Sequence, residues 1–133
     1  MSNFEIRTHQ MGRTYNLPHF FILSKGLNSG RLMLQPCPNC FVITTGSKQT
    51  RESLFYLCQS LKIGKYFHYY LKGSVIPFIC ISDAKKVMQT ALQNNQEQWQ
   101  IKVQKLKKIE ALESNLKQQL SAISQLKMVL LRS

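Results

Sequence analysis

Acidic side chains are scarce in this chain. Its 133 residues include 6 Asp and Glu against 18 Lys and Arg, which gives a formal net charge of +12. Within residues 1–82 the acids are Glu5 and Glu52 alone, so no local pair of carboxylates is available for acid–base catalysis or for binding magnesium. We therefore predict that the protein is not an enzyme.

Long apolar runs are also missing. Phe20 to Leu23 is the size of a strand, whereas a membrane-spanning helix needs about 20 apolar residues. The N-terminal residues lack the apolar stretch of a secretory signal. We expect a cytoplasmic protein with no membrane partner, whose cysteines are reduced thiols.

Glycine and proline are absent from Ser82 to Ser133, and this absence predicts one long helix with a kink near the polar residues Gln93 to Gln96. Its large apolar residues recur every three or four positions, close to the ~3.5-residue period of a coiled-coil seam. The seam consists of Trp99, Val103, Leu106, Ile109, Leu112, Leu116, Leu120, Ile123, Leu126 and Leu130. A helix about 75 Å long exceeds the width of a small domain, so another helix must cover the seam.

The first 81 residues predict a small head of strands and two short helices. The first helix begins at Ser47 or Thr50 and ends at Lys62, and the second spans Lys65 to Leu71. The predicted strands are Asn3 to His9, Pro18 to Ser24, Cys40 to Thr45 and Val75 to Ile81. We expect an α+β fold, with a mostly antiparallel sheet in residues 1–81 and a protruding C-terminal coiled-coil helix in residues 82–133.

The Cys37-Pro38-Asn39-Cys40 segment has the spacing of half a zinc site. A structural zinc needs four ligands, and Cys58, Cys80 or one of the scattered His9, His19 and His68 would have to complete the site. The alternatives are a redox pair and buried thiols that shape the entry to a strand. We favour buried thiols, and we expect no metal and no cofactor.

Five consecutive residues, Tyr66 to Tyr70, form an aromatic segment between Lys65 and Lys72. Aromatic rings in this setting can stack on nucleic-acid bases. On a short helix they more often pack in the core, and we assign Phe67 and Tyr70 to the core.

The positive charge favours a polyanionic partner. Residues 1–82 contain 9 basic and 2 acidic side chains, a net charge of +7. Such a field favours nucleic acid first and an anionic membrane surface second. The candidate DNA-binding residues are Lys25, Arg31, Lys48, Arg51, Lys62, Lys65 and Lys72.

Residues 52–130 resemble the second half of a target-recognition domain in the specificity subunits of type I restriction-modification enzymes. The resemblance rests on the segment Tyr70 to Pro77, the following Ile81 to Lys85, and Glu97-Gln98 before a long helix. The Pro-rich segment that precedes the Glu-Gln pair in that family is replaced here by Ala91 to Gln96. The resemblance implies DNA binding without catalysis, and docking through a coiled coil. For half-length subunits that dimerise, it implies that the helices pair antiparallel.

The sequence therefore predicts a non-catalytic protein that binds double-stranded DNA and resembles a specificity half-subunit. Its C-terminal helix forms a homodimer or docks on a larger partner. The rival interpretation is a protein-interaction adaptor, or a competitor of such a subunit, that binds no DNA itself.

Overall fold

The computed structural model describes residues 4–73, 75–94 and 96–133, and the side chains of residues 94–100 lie outside this description. Four strands are followed by four helices along the chain. The strands are β1 Phe4–Thr8, β2 His19–Leu23, β3 Leu32–Met33 and β4 Cys40–Thr45. The helices are α1 Lys48–Ile63, α2 Tyr66–Tyr69, α3 Ile81–Asn94 and α4 Gln96–Arg132. The predicted α+β fold with a long C-terminal helix is confirmed.

The sheet is antiparallel, with the strand order β1-β4-β2-β3. Because side chains alternate across a strand, Phe20 and Ile22 of β2 lie on the face that α1 to α3 cover, where they join the main core. Phe21 lies on the opposite face, in a small cluster with Cys40 and Val42. The core therefore lies between one face of the sheet and the helices.

Helix α1 forms where the sequence predicts it. The Ser47 side chain accepts a hydrogen bond from the Thr50 backbone N–H, which caps the first turn. Apolar residues at helical spacing then bury one face on the sheet, and the helix ends before Gly64. The buried residues of this face are Leu54, Leu57, Cys58 and Leu61.

The predicted strand Val75 to Ile81 is wrong in the residues that the structure describes. Lys72 and Phe78 exchange two backbone N–H···O bonds of 2.8 Å each, and Phe78 forms an isolated bridge to Lys25. Pro77 has no N–H to donate, which limits further pairing. The sheet instead contains the strand β3, which the sequence did not predict. Its two residues are too few to show a periodic pattern.

The C-terminal region contains two helices where the sequence predicts one. The change from α3 to α4 falls at residue 95, within the predicted kink, and residue 95 itself lies outside the described residues. Helix α3 belongs to the packed body, because Ala84, Val87 and Met88 join the main core. The predicted division at residues 81 and 82 falls at the start of α3 and stays a prediction, and we use the name head for the packed body from β1 through α3.

Helix α4 begins beside the head and then leaves it. Val103 is 4% exposed, and Lys107 and Glu110 contact α1. Every residue from Ala111 to Ser133 is exposed, and we call this segment the arm. Its 22 helical residues extend about 33 Å. None of the helices in the described part of the chain has the length and apolar content needed to cross a membrane.

Candidate functional site

Helix α1 carries three of the seven predicted DNA-binding residues, and its packing against β3 places them beside residues 29–34. At one end, the Lys62 ammonium donates to the Ser29 carbonyl at 3.2 Å. At the other end, Lys48 and Arg51 line a cavity of 360 Å³ together with Leu34. Helix α1 therefore runs antiparallel to residues 29–34, and the eleven-residue rise from Arg51 to Lys62 is about 17 Å.

We call this surface the basic edge. Its members are Lys48, Arg51 and Lys62. The side chain of Lys48 is exposed, whereas those of Arg51 and Lys62 are partly buried. Lys25 and Arg31 are exposed in the β2–β3 connection beside this edge. Lys25 pairs with Phe78, and because Leu32 packs toward the helices, strand alternation places Arg31 on the opposite face of the sheet.

The first turns of α1 carry charges of the sign that a helix N-terminus disfavours. This end of a helix is electropositive, and carboxylates usually occupy it. Helix α1 has no acid in its first turn, which begins with Lys48. The Nε of Arg51 is buried without a hydrogen-bond partner among the described residues. An anion bound here would complement the helix dipole and both side chains.

One acid lies beside the basic edge, and α4 offsets its charge. Glu52 lines the same cavity as Lys48, and its carboxylate contacts the Lys107 ammonium at 2.9 Å. Lys107 also lies 5.4 Å from the centre of the Tyr56 ring. The packing of α4 on α1 thus keeps the surface around Arg51 positive.

The other two predicted DNA-binding residues stand apart. Lys65 follows α1 in the left-handed conformation, with φ 64°, and its side chain is exposed. The Lys72 ammonium lies 3.4 Å from the Asp83 carboxylate. Hydrogen bonding and charge attraction from Asp83 raise the pKa of Lys72. Lys72 is therefore committed to an ion pair that joins the 72–78 turn to α3.

The predicted seam divides into two parts. Val103 is buried in the part of α4 that packs on α1, and Leu106 is partly buried there. These two residues pack in the attachment of α4 to the head, and their assignment to the dimerisation seam stays a prediction. The side chain of Trp99 lies outside the described residues. The remaining predicted seam residues are exposed: Ile109, Leu112, Leu116, Leu120, Ile123, Leu126 and Leu130.

A second cavity, also of 360 Å³, lies between α1 and α3, with α2 and α4 at its rim. Leu57, Leu61 and Val87 contribute apolar side chains, and Lys86 and Lys102 contribute ammonium groups. Tyr66 and Tyr70 also line it. Such a lining suits a small anion with an apolar body. Sequence reasoning missed this cavity because its two lysines lie on separate helices that only tertiary packing brings together.

The aromatic segment is largely structural. Phe67 is fully buried and Tyr70 is partly buried, as the sequence predicts for the core, while Tyr66 and Tyr69 are exposed. A Cβ added to Gly30, whose φ is +95°, would lie 2.9 Å from the Cβ of Phe67. Helix α2 therefore packs directly against the turn that precedes Arg31, and position 30 has no room for a side chain.

The four cysteines occupy separate environments. The Cys40 thiol donates to the Cys37 carbonyl at 3.2 Å, and burial raises the pKa of Cys40. Burial also raises the pKa of Cys58, which lies in the main core, while Cys80 precedes α3 and is partly buried. Across the described ranges, no three His, Cys, Asp or Glu residues cluster as metal ligands would. The expected absence of a metal stays a prediction.

Comparison with known proteins gives one family. No curated protein and no solved structure matches this chain significantly. One family model matches residues 6–133, a range that covers the head from within β1 and the whole of α4. It neither favours nor opposes the resemblance to restriction specificity subunits. The chain belongs to DUF6943, a family of unknown function.

Proposed function

We propose that this protein is a non-catalytic protein that binds double-stranded DNA through the basic edge and dimerises through the arm. The observation that carries the DNA proposal is the cationic stripe along α1, from Lys62 to Lys48 and Arg51. Glu52, an acid beside it, is paired with Lys107. The resemblance to restriction specificity subunits supports the same function.

The basic edge suits phosphate contacts. A duplex carries one negative charge per about 1.7 Å of its axis, so the stretch of about 17 Å between Arg51 and Lys62 faces several phosphates. Lys and Arg contacts to phosphate position a protein on DNA without reading its sequence. We therefore propose binding that is strong at low salt and nearly independent of sequence.

The arm supplies the second part of the proposal. Dimerisation would present two basic edges to the same duplex and would raise the apparent affinity through their effective concentration. The large apolar side chains of the arm are exposed, and each one that a dimer buries contributes roughly 1.5–3 kcal/mol. We also propose a cytoplasmic location, which the four free cysteines favour.

The test is a salt titration of binding to a duplex of random sequence, followed by fluorescence anisotropy. The logarithm of the affinity should fall linearly with the logarithm of the salt concentration, with a slope near −0.9 per phosphate contacted. Lys48→Ala and Lys62→Ala should each weaken binding to all duplexes equally and reduce the slope by about one contact. Lys127→Ala removes the same charge from the arm and is the matched control, with a slope near that of the unchanged protein.

Two results would count against this proposal in different ways. If the unchanged protein does not bind duplex DNA at about 50 mM salt, DNA binding is wrong. If it binds and Lys127→Ala matters as much as Lys48→Ala, the charge acts without a defined surface and the basic edge is wrong.

The second candidate function is a protein-interaction adaptor, and the exposed arm favours it. Leu112, Leu116 and Leu120 are each more than half exposed, an arrangement that suits docking on helices of a larger partner. A protein that fails to bind DNA but captures an α-helical partner through these residues would support the adaptor. Leu116→Lys should abolish that capture, and Lys48→Ala should leave it unchanged.

A further inference from the structure

Three complete heptads, residues 109–129, run from the end of the attached part of α4 along the arm, and their frame is set by the a positions. These are Ile109, Leu116, Ile123 and Leu130, spaced seven residues apart. The d positions between them are Leu112, Gln119 and Leu126. We call these seven residues the arm seam. Isoleucine at a combined with leucine at d favours two strands over three or four.

The head does not obstruct the arm seam. An α-helix turns about 100° per residue, so Val103, Lys107 and Glu110 lie about 180° around α4 from the arm seam. These three residues pack against the head together with Leu106, which lies about 120° from the arm seam. In a two-stranded coiled coil the heads therefore lie on the outside, and the seam faces are free to meet.

One polar residue interrupts the arm seam. Gln119 is exposed in the single chain, with its side-chain amide donating to Asn115 at 3.4 Å. In a parallel, in-register pair, Gln119 meets Gln119 of the second copy, and the two amides can donate to and accept from each other. In an antiparallel pair, a positions face d positions, so when Ile109 faces Ser133 of the other copy, Gln119 faces Ile123. Two amides are then buried without partners, which is costly.

The charges next to the seam agree with a parallel pair. Lys108 occupies a g position and Glu113 the following e position, and these two positions meet across a parallel two-stranded coiled coil. The pair would form twice by symmetry. Lys102 and Lys105 take the a and d positions before Ile109, so repulsion between like charges ends the coiled coil on that side.

From these features we propose that two copies of this chain form a parallel, in-register coiled coil through the arm seam, with Gln119 setting the register. This arrangement rests on the dimer of the proposed function. It places both heads, and with them both basic edges, at the same end of the coiled coil, in contrast to the antiparallel pairing that the resemblance implies.

The test uses Ser133→Cys, because Ser133 is exposed and occupies the next d position. Mild oxidation of the folded protein should give a covalent dimer linked through residue 133, identified by mass mapping. Ser121→Cys makes the same change at an f position on the outside of the arm and should give no such link. The unchanged protein, with its four native cysteines, sets the background.

A second measurement uses the same variant without relying on a disulfide. Spin labels on residue 133 should lie close together in a parallel dimer, whereas in an antiparallel dimer they would be about 36 Å apart. Gln119→Leu removes the cost of the antiparallel pairing. It should therefore lower the yield of the residue 133 link while the protein remains oligomeric.

The possible failures are distinguishable. A monomer in light scattering at micromolar concentration overturns both this arrangement and the dimer of the proposed function. A dimer whose residue 133 labels lie about 36 Å apart, or in which Ser133→Cys and Ser121→Cys cross-link equally, overturns the parallel arrangement alone. An unchanged link in Gln119→Leu overturns the role of Gln119 in setting register.

Discussion

Residues 101–110 of α4 pack against the head, whereas the arm extends from it, although both segments carry apolar residues at helical spacing. Val103 is 4% exposed in the first segment, and Leu116 is 55% exposed in the second. The two stripes lie on opposite faces of one helix, because the first faces α1 and the second faces away from it. Periodicity thus identifies a surface that must be covered and leaves open what covers it.

The largest expected effect comes from charging the arm seam. Leu112→Lys with Leu116→Lys should convert the dimer into a monomer, since the dimer buries four of these leucines at roughly 1.5–3 kcal/mol each. A loss of about 6 kcal/mol weakens the dimer at least about 10⁴-fold. Sedimentation should show a monomer, and thermal unfolding should show that the melting temperature of the head is unchanged. Ser114→Lys with Ser121→Lys, on the outer face, is the matched control and should stay dimeric.

A smaller effect separates the two segments of α4 directly. Val103→Ala removes buried methyl groups, so it should lower the free energy of unfolding of the head by roughly 1–3 kcal/mol. This loss should be the same at all protein concentrations. Leu116→Ala should instead produce a loss that grows as the protein is diluted, because it acts on association. Chemical denaturation of each variant at two protein concentrations measures these losses in the free energy of unfolding. If both losses depend on protein concentration in the same way, the proposed difference between the two segments of α4 is wrong.

The head should hold its fold by packing alone, in contrast to an arm that needs a partner. We expect the melting curve to be unchanged by EDTA, because a zinc-dependent fold would unfold when its metal is removed. Cys37→Ser should cost less than about 1 kcal/mol, since Cys37 is only partly buried and offers its carbonyl to Cys40. One equivalent of zinc by elemental analysis of the purified protein would contradict this prediction.

The smallest effect should arise at Glu110, where α4 leaves the head. Burial, and secondarily the charge of Glu113, raises the pKa of Glu110. The charged form is therefore disfavoured in the folded state, and this cost disappears as the pH falls through the raised pKa. Glu110→Gln should stabilise the head by no more than about 0.5 kcal/mol at pH 7. It should have almost no effect below about pH 4. Marked destabilisation at pH 7 would show that the charged form is favoured.

Several parts of the fold could be predicted from local pattern. Cys40–Thr45 and His19–Leu23 are apolar runs between turns, and Ser47 caps a helix with a clear apolar face. The elements that sequence reasoning missed have weak local signals. Strand β3 has two residues, and the segment around Phe78 forms a turn although its composition suits a strand.

The candidate site shows the same division. The excess of cations was evident from composition, yet composition could not separate Lys72, which pairs with Asp83, from the exposed Lys48. Arg51 gains its significance from a buried Nε without a partner, which depends on the packing around α1. The cavity between Lys86 and Lys102 depends on the crossing of two helices.

The sequence by itself determined the α+β composition, the positive charge and the presence of a long amphipathic helix, because each depends on residue type and short-range periodicity. Tertiary structure decided which apolar residues of that helix the head covers, and which cations share an edge. Those outcomes depend on contacts between distant segments, such as Lys62 with Ser29 and Glu52 with Lys107. Local preferences carry no information about such pairs, since packing geometry alone brings their side chains together.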